Sequence, residues 1–294
     1  MIIVITGPTG VGKTKLSIEL AKRYNAEIIN GDSVQVYRGL DIGAAKVTDS
    51  EKSGIPHHLL DIKDVTEDYS IYDYQSDCRR VIEEITLRGK NVIIVGGTGL
   101  YIKSALYDYQ FENNISSNNY DNLSTEELYQ KLITLDPEIV IDRYNRKRVV
   151  RALDYYLSTG KSINTNNHGN RLLYKAIFIG LTTNREELYK RINIRVDKMI
   201  EQGLVNEVKN FYYKNIRSKI LTSAIGYKEL YRYFDGEISL EESIELIKRN
   251  SRRYAKRQYT FFRNQFDITW IDVNFNDFNK TIDKAVEYIE KTTN

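Results

Sequence analysis

The sequence predicts an α/β fold in which a parallel sheet forms the core and a helical domain is inserted between two of its strands. Short apolar runs alternate with amphipathic helical patterns over the first hundred or so residues, an order typical of strands joined by crossover helices. A glycine-rich loop joins the first run to the first helical pattern, and a polar, helix-rich stretch separates the third run from the fourth. The predicted strands are 2–6, 27–30, 91–95 and 175–181, and the first two predicted helices are 13–24 and 72–88.

Composition narrows the class of protein. The chain has 294 residues, 41% of them hydrophobic, which is enough to bury the core of one large domain or of a core with a second module. No apolar run approaches the length of a membrane span, and the opening MIIVITGPTG lacks a basic leader, so we expect a first strand and no membrane partner. The single Cys78 excludes an intramolecular disulfide and a multi-cysteine zinc site. We therefore expect a cytoplasmic protein, and we expect a monomer.

The loop after the first strand matches the phosphate-binding motif G-x-x-x-x-G-K-[ST] at every fixed position, which predicts a P-loop NTPase-like core. Its glycines allow successive backbone N–H groups to surround phosphate oxygens, the following helix adds its dipole, and Lys13 adds a positive charge. We expect the Thr14 hydroxyl to bind magnesium. A nucleotide hydrolase, a small-molecule kinase and an enzyme that expels diphosphate each remain possible. The predicted diphosphate-binding residues are Gly7, Thr9, Gly10, Val11, Gly12, Lys13 and Thr14.

A second polar motif, NGDSVQVY at 30–37, follows the second strand and is expected at the same carboxyl edge of the sheet, where ligands bind in open α/β folds. Asp32 is either a turn or capping residue, which is common before helices, or a general base beside an amine or hydroxyl nucleophile. Ser33 and Gln35 have side chains that can hydrogen-bond a planar heterocycle, which favours the general base. The third strand ends in Gly-Gly-Thr-Gly, where a magnesium carboxylate would ordinarily be expected.

The stretch from about 112 to 170 breaks the strand–helix alternation. It begins with the polar segment NNISSNNYDN at 113–122, continues through a capping-box pattern at Ser124, and contains helical patterns at 125–135 and 146–159 that end at Gly160. We predict a core of 1–112 plus 171–294 and a helical insertion domain of 113–170. Helices are predicted at 185–202, 204–213 and 240–263, followed by a short strand at 270–272 and a terminal helix.

Two clusters of basic residues lack acidic neighbours. KRNSRRYAKRQYTFFR at 248–263 has seven basic residues, and RYNRKRVVR at 143–151 has five. Such clusters are either contacts for a phosphate backbone or solvated helix faces. In the cluster at 248–263 the spacing favours a single stripe along one helix face, because several polar positions recur every three or four residues. These positions are Arg249, Arg253, Lys256, Thr260 and Arg263.

With these motifs in this order, the chain resembles the tRNA dimethylallyltransferases, also called tRNA isopentenyltransferases. The resemblance covers nearly the whole chain, and several of its strings are specific to that family, whereas the P-loop alone is not. The strings are DSVQVYRGLDIGAAK at 32–46, IPHHLLDI at 55–62, GGTGLYI at 96–102, RKRVVRALDYYLSTGK at 146–161, IGLTTNREELYKRINIRVDKMIEQGLVNEV at 179–208, SAIGYKEL at 223–230 and RRYAKRQYTFFRNQ at 252–265.

The resemblance implies that the P-loop holds the diphosphate of dimethylallyl diphosphate, with Mg²⁺ as cofactor. The exocyclic amine of the adenosine 3′ of the anticodon then attacks the prenyl group. In the family the residue matching Asp32 is the general base, Arg195 supports the leaving diphosphate, and the hydroxyl matching Thr98 acts at the reacting centre, with room left by the adjacent glycines. The implied partner is the anticodon stem-loop of tRNA. Its implied contacts are Asp32, Ser33, Val34, Gln35, Thr98, Arg148, Arg151, Arg253, Arg257 and Gln258.

Three other classes of protein share part of this pattern. A small-molecule kinase also uses a P-loop, but it does not need the two basic clusters. An adenylate isopentenyltransferase acts on free nucleotides and needs neither the insertion nor the stripe at 249–263. A non-catalytic RNA-binding P-loop protein needs neither Asp32 nor Thr98.

Overall fold

The computed structural model describes residues 1–111, 118–165 and 170–293. The chain divides into two compact units, Met1–Leu106 with Leu173–Asn294, and Tyr107–Leu172. The predicted boundary between residues 112 and 113 lies outside the described residues, as does part of the polar segment 113–122. The second unit begins and ends with paired backbone, because Tyr107 forms an antiparallel bridge with Leu172 and the Asp108 N–H donates to the Arg171 carbonyl at 2.9 Å. This pairing places the division at 106/107 and 172/173, a few residues outside the predicted boundaries.

The described residues contain all the predicted strands and helices. The strands are β1 (Ile2–Thr6), β2 (Ala26–Asn30), β3 (His57–His58), β4 (Asn91–Val95), β5 (Ala176–Thr182) and β6 (Thr269–Asp272). The helices are α1 (Lys13–Arg23), α2 (Asp49–Lys52), α3 (Ile71–Leu87), α4 (Gly99–Leu106), α5 (Thr125–Leu135), α6 (Arg146–Thr159), α7 (Arg185–Glu201), α8 (Leu204–Tyr213), α9 (Lys219–Ser223), α10 (Tyr227–Phe234), α11 (Leu240–Gln265) and α12 (Asn279–Thr293). Five of these elements were not predicted by the sequence analysis: α2, β3, α4, α9 and α10.

A single parallel sheet organises the first unit. Its strand order is β3-β2-β4-β1-β5-β6, and every pair of neighbouring strands is parallel. All residues of β1 and β2 are buried, as expected for strands covered on both faces. Because β2, β4 and β1 are neighbours, the loops that follow them emerge side by side at one carboxyl edge. The predicted α/β class with a parallel sheet core is confirmed.

The opposite end of β2 carries a buried charge cluster, which we call the Glu27 cluster. The Glu27 carboxylate is 3% exposed and accepts hydrogen bonds from His58 Nε2 at 2.7 Å, Arg88 Nη2 at 2.6 Å and Lys90 Nζ at 2.8 Å. Burial alone would raise the pKa of this carboxyl, but the hydrogen bonds from Lys90, His58 and Arg88 outweigh it and hold the pKa at about 2. The cluster therefore stabilises the sheet at the end away from the P-loop.

Two consecutive helices, α5 and α6, supply the core of the second unit. Leu128 and Leu132 of α5 and Val149 and Leu153 of α6 belong to one buried cluster. The predicted capping box is present, because the Ser124 hydroxyl accepts from the Glu127 N–H at 3.2 Å and the Glu127 carboxylate accepts from the Ser124 N–H at 2.7 Å. This unit thus has an apolar core of its own.

The long helix α11 has two distinct faces. Its positions Ala255, Gln258 and Phe262 are buried, while Arg253 and Arg257 are exposed. Among residues 1–111, 118–165 and 170–293, no helix combines the length and the apolar character that crossing a bilayer requires. The buried face of α11 positions this helix against the loops of the first unit.

Candidate active site

The P-loop between β1 and α1 has a backbone that only glycine accommodates at key positions. Gly7, Gly10 and Gly12 have φ angles of +133°, +86° and +94°. A Cβ on Gly7 would lie 2.5 Å from the Leu181 carbonyl oxygen, and one on Gly12 would lie 2.8 Å from the Phe278 ring. Gly12 caps α1 without any side-chain hydrogen bond, so the first N–H groups of this helix are not occupied by a capping side chain. The loop is shaped to bind an anion at a helix N-terminus.

Lys13 closes this loop. Its Nζ donates to the carbonyls of Gly7 at 2.9 Å and Pro8 at 2.8 Å. Burial and then the charge of Arg195 lower the pKa of Lys13 to about 7, and the charge of Asp32 acts in the opposite direction. A bound diphosphate would place a compensating negative charge beside the ammonium group of Lys13.

Asp32 lies in a turn that is fixed by its own neighbours. The Asn30 side chain accepts from the Asp32 N–H at 3.0 Å and donates to the Asp32 and Leu59 carbonyls, each at 3.0 Å. Asp32 Oδ1 accepts from the Val34 N–H at 2.9 Å, as in an Asx turn. Oδ2 lies 3.8 Å from the position that a Cβ on Gly97 would take. Oδ1 therefore has the turn role, Asp32 lines the cleft, and its role as a general base stays a prediction.

The Thr98 hydroxyl joins the loop after β4 to the loop after β2. It accepts from the Ser33 N–H at 3.0 Å and donates to the Ser33 hydroxyl at 3.2 Å. The Thr98 N–H donates to the Gly31 carbonyl at 3.1 Å. The structure thus brings Asp32, Ser33 and Thr98 together, as the sequence predicted.

The glycines beside Thr98 allow close packing, in addition to the room that they are expected to leave for the threonine. A Cβ on Gly96 would lie 2.2 Å from the Gly31 backbone, and one on Gly97 would lie 2.2 Å from Gln258 Nε2. They are required by the close approach of a neighbouring loop and of α11, and not only to leave room for the threonine. The absence of a side chain at these positions lets three segments meet at the sheet edge.

Gln258 forms a bridge within the protein and also lines the cleft, and its predicted contact with tRNA stays a prediction. The side chain is buried, and its Oε1 accepts from the Thr9 N–H at 3.3 Å while its Nε2 donates to the Gly97 carbonyl at 3.0 Å. Both ends of the amide are therefore used to connect the P-loop to the loop after β4. The bridge also engages the N–H of Thr9, a predicted diphosphate-binding residue.

Helix α7 contributes two arginines one turn apart. The Arg191 Nε donates to the Gly10 carbonyl at 3.1 Å, and its guanidinium lies 3.8 Å from the centroid of the Phe275 ring. Burial lowers the pKa of the Arg195 guanidinium, and the carboxylates of Asp32 and Glu51 oppose this effect. The sequence predicted Arg195 but missed Arg191. The i, i+4 spacing of the two arginines on one helix face was the available signal.

Tyr254 is a second residue that the sequence analysis did not single out. It lines the cleft four residues before Gln258 on α11, and the Arg257 guanidinium lies 5.6 Å from its ring centroid. Burial and then the charge of Asp32 raise the pKa of the Tyr254 phenol to about 12, against the opposing hydrogen bonds of Thr98 and Gln258. Tyr254 therefore belongs to the polar wall beside Asp32.

These segments surround one cleft with a volume of about 1080 Å³. Lys13, Thr14, Asp32 and Arg195 all line it, as do Val34 and Gln35. The described parts of the chain contain no group of three or more His, Cys, Asp or Glu residues arranged to hold a metal ion. A site with one hydroxyl ligand still fits Mg²⁺, which commonly keeps several waters and takes further oxygens from a substrate phosphate. The cleft can bind an anion and accept a proton close to it.

The four arginines predicted to contact tRNA are all exposed, and one of them, Arg257, also lines the cleft. Arg253 and Arg257 are exposed on α11 of the first unit. Arg148 and Arg151 are exposed on α6 of the second unit. Their side chains are accessible to a phosphate backbone, and their contact with tRNA stays a prediction.

A parallel sheet with a P-loop at its carboxyl edge defines an α/β protein with a P-loop NTPase-like core. The family model described as IPP transferase matches residues 35–265. A tRNA dimethylallyltransferase of Anoxybacillus flavithermus is 51% identical over 98% of this chain and 96% of its own length. The chain therefore belongs to the IPP transferase family.

Solved structures of tRNA prenyltransferases also match this chain. The tRNA Δ2-isopentenylpyrophosphate transferase from Staphylococcus epidermidis is 43% identical, with a TM-score of 0.76 over 99% of both chains. A eukaryotic dimethylallyltransferase, captured in crystallographic snapshots of its action on tRNA, is 32% identical, with a TM-score of 0.78 over 92% of this chain and 73% of that one. The predicted resemblance is confirmed.

Proposed function

We propose that this protein is a tRNA-modifying enzyme that transfers a dimethylallyl group from dimethylallyl diphosphate to N6 of the adenosine 3′ of the anticodon, at position 37. Membership of the family and the tRNA named for its relatives support the reaction. The observation in the structure that carries the proposal is that a P-loop with two cations and a carboxylate lie in one cleft. Lys13, Arg195 and Asp32 are close enough to influence one another's charge.

The chemistry follows from the two substrates. The N6 lone pair of adenine is delocalised into the ring, so the amine must lose a proton as its bond to C1 of the prenyl group forms. Asp32 receives that proton. The C1–O bond breaks as the new bond forms, and the departing diphosphate takes the electron pair. Lys13, Arg195 and the N-terminus of α1 stabilise the charge that develops there, at about 3–4 kcal/mol for each preorganised donor.

We propose that the Thr14 hydroxyl would hold Mg²⁺ together with oxygens of the substrate diphosphate. When bound, the ion neutralises part of the negative charge on the leaving group. Thr14 lies at the first turn of α1 and lines the cleft, where it is exposed. The cation would therefore lie on the diphosphate side of the cleft, and Asp32 would remain available to the base.

The target adenosine must be unstacked and brought into the cleft, at a cost of a few kcal/mol. Ser33, Val34, Gln35 and Thr98 are proposed to contact it; the first three line the cleft with Asp32, and the Thr98 hydroxyl binds Ser33. Arg253, Arg257, Arg148 and Arg151 are proposed to bind the backbone of the anticodon stem-loop, and these ionic contacts offset the cost of unstacking. A monomeric state and a cytoplasmic location stay predictions.

The replacement Asp32→Asn tests the role of the carboxylate. The asparagine side chain can still accept from the Val34 N–H, which preserves the turn. It cannot take up a proton at neutral pH. We expect the single-turnover rate to fall by about 10²–10⁴-fold, while the dissociation constant for tRNA stays within about twofold of the wild-type value.

Asp68→Asn is the matched control, because Asp68 is exposed and does not line the cleft. An unchanged rate in Asp32→Asn would remove the general base from the proposal. A loss of tRNA binding equal to the loss of rate would assign Asp32 to the turn alone.

A further inference from the structure

Glu207 on α8 binds a row of backbone amides. Its Oε2 accepts from the N–H groups of Asp41 at 3.0 Å and Ile42 at 2.7 Å, and its Oε1 accepts from the Gly43 N–H at 3.1 Å. The Tyr227 hydroxyl adds a fourth donor to Oε1 at 2.5 Å. Consecutive N–H groups form a concave anion-binding surface, and hydrogen bonds to a carboxylate are stronger than those between neutral groups. Here the anion is supplied by the protein itself.

The segment that Glu207 holds is closely packed and continues into the wall of the cleft. A Cβ on Gly43 would lie 2.5 Å from the Tyr227 ring, so only glycine fits beneath it. The next two residues, Ala44 and Ala45, line the cleft together with Gly43. We call residues 41–46 the clamped loop. Glu207 and Tyr227 therefore fix a wall of the cleft from behind.

The clamped loop in turn holds a side chain predicted to contact the target base. The Gln35 Nε2 donates to the Ala44 carbonyl at 3.0 Å, which lies one residue after the amides that Glu207 binds. At the far end of the loop, the Lys46 Nζ donates to the Tyr37 carbonyl at 3.0 Å and to Asp41 at 2.6 Å. A shift of the clamped loop would therefore move the acceptor that orients Gln35.

The helices before and after Gly203 contact the two sides of the cleft. Arg191 of α7 binds the Gly10 carbonyl of the P-loop, while Glu207 of α8 binds the clamped loop. The two contacts are separate, so loss of Glu207 leaves the contact of α7 with the P-loop in place. This separation predicts which substrate a change at Glu207 affects.

We propose that Glu207 is a positioning residue for the base-binding side of the cleft: its carboxylate fixes the clamped loop so that Gln35 is oriented toward the adenosine. This inference rests on the proposed function. Removing the negative charge loosens the amides of residues 41–43 and impairs engagement of tRNA, while the diphosphate side retains its affinity.

The test compares Glu207→Gln with Tyr227→Phe and with Glu201→Gln. Glutamine at 207 presents an N–H₂ group to at least one amide that needs an acceptor. Phenylalanine at 227 keeps the ring against Gly43 and the three amide bonds, and loses only the hydroxyl. Glu201 is an exposed residue at the end of α7 and serves as the matched control.

For Glu207→Gln we expect kcat/KM for tRNA to fall by about 10- to 100-fold, the scale of a misplaced binding group. The affinity for dimethylallyl diphosphate alone should stay within about twofold, and hydrogen exchange at the amides of 41–43 should accelerate while that of β1 does not. Tyr227→Phe should change kcat/KM by less than about threefold, and Glu201→Gln should have no effect.

Wild-type kcat/KM in Glu207→Gln would overturn the inference, and so would an equal loss of affinity for the diphosphate. If the unaltered protein modifies no tRNA, the proposed function fails instead, and the exchange rates at 41–43 still decide whether Glu207 clamps the loop.

Discussion

The Gln258 bridge yields the most sharply defined prediction. Replacing Gln258 with leucine keeps the approximate volume of the side chain but removes the acceptor for the Thr9 N–H and the donor to the Gly97 carbonyl. The Gly97 bond is buried and the Thr9 bond is partly buried. A buried backbone group that loses its partner costs about 1–3 kcal/mol, so we expect a loss of about 2–4 kcal/mol in the free energy of unfolding. Water from the cleft can replace part of the bond to Thr9, which keeps the value below the full sum.

The assay is denaturant unfolding, followed by calorimetric titration with dimethylallyl diphosphate. Gln265→Leu is the matched control, because it makes the same chemical change in the last turn of the same helix at an exposed position. We expect the control to change the free energy of unfolding by no more than about 0.5 kcal/mol. We expect Gln258→Leu also to weaken diphosphate binding by about tenfold, because the P-loop loses its contact at Thr9. Equal stability and equal affinity in the two variants would refute the bridge as a support of the P-loop.

Three further predictions follow from charges in the structure. The pKa of Lys13 in the free protein is about 7, and a bound diphosphate raises it. Calorimetry in two buffers at pH 8 should therefore show uptake of nearly one proton on diphosphate binding, whereas at pH 6 it should show almost none. No proton uptake at pH 8 would contradict this prediction. Glu27→Gln should lower the free energy of unfolding at pH 7 by about 3 kcal/mol, since it breaks a buried ionic cluster. A carboxyl whose pKa is lowered by folding adds stability at pH values above its unfolded-state pKa of 4.5, and this stability is lost as the pH falls toward 2. The difference in unfolding free energy between wild type and Glu27→Gln should therefore shrink between pH 4.5 and 2. A constant difference would contradict this prediction. Replacing Arg253 and Arg257 with glutamate should reduce the slope of log K for tRNA against log salt by about 2, and an unchanged slope would remove α11 from the interface.

The sequence predicted the long, regular elements because their periodicity reflects burial. The bounds of α5, α6 and α8 were predicted to the residue, and β1 and β4 likewise. The two-residue strand β3 was missed because it is too short to show alternation. Helix α4 was missed because its sequence GLYIKSAL continues an apolar run directly after a glycine turn. Its first residue packs closely against α11, because a Cβ on Gly99 would lie 2.3 Å from the Phe261 ring, and such a tertiary contact is not visible in the local sequence.

For the candidate site, the sequence predicted candidate catalytic and binding residues but missed residues that position them. The P-loop, Asp32 and Thr98 were identified from motif and resemblance; the structure places P-loop residues and Asp32 in the lining of one cleft, and Thr98 binds the neighbouring Ser33. The family resemblance assigned Gln258 a contact with tRNA, but its bridge to Thr9 and Gly97 could not be predicted because it depends on packing between distant segments. Glu207 and Arg191 bind backbone groups far away in the chain, and local sequence does not reveal such partners.

The most direct test of the account is mass spectrometry of tRNA treated with the purified protein, Mg²⁺ and dimethylallyl diphosphate. The tRNA should be one that reads codons beginning with U, and its nucleosides should be mapped after nuclease digestion. The account predicts a dimethylallyl group on N6 of adenosine 37, one diphosphate released for each group transferred, and no requirement for ATP. Unmodified adenosine 37, together with consumption of ATP by a phosphate acceptor, would contradict it.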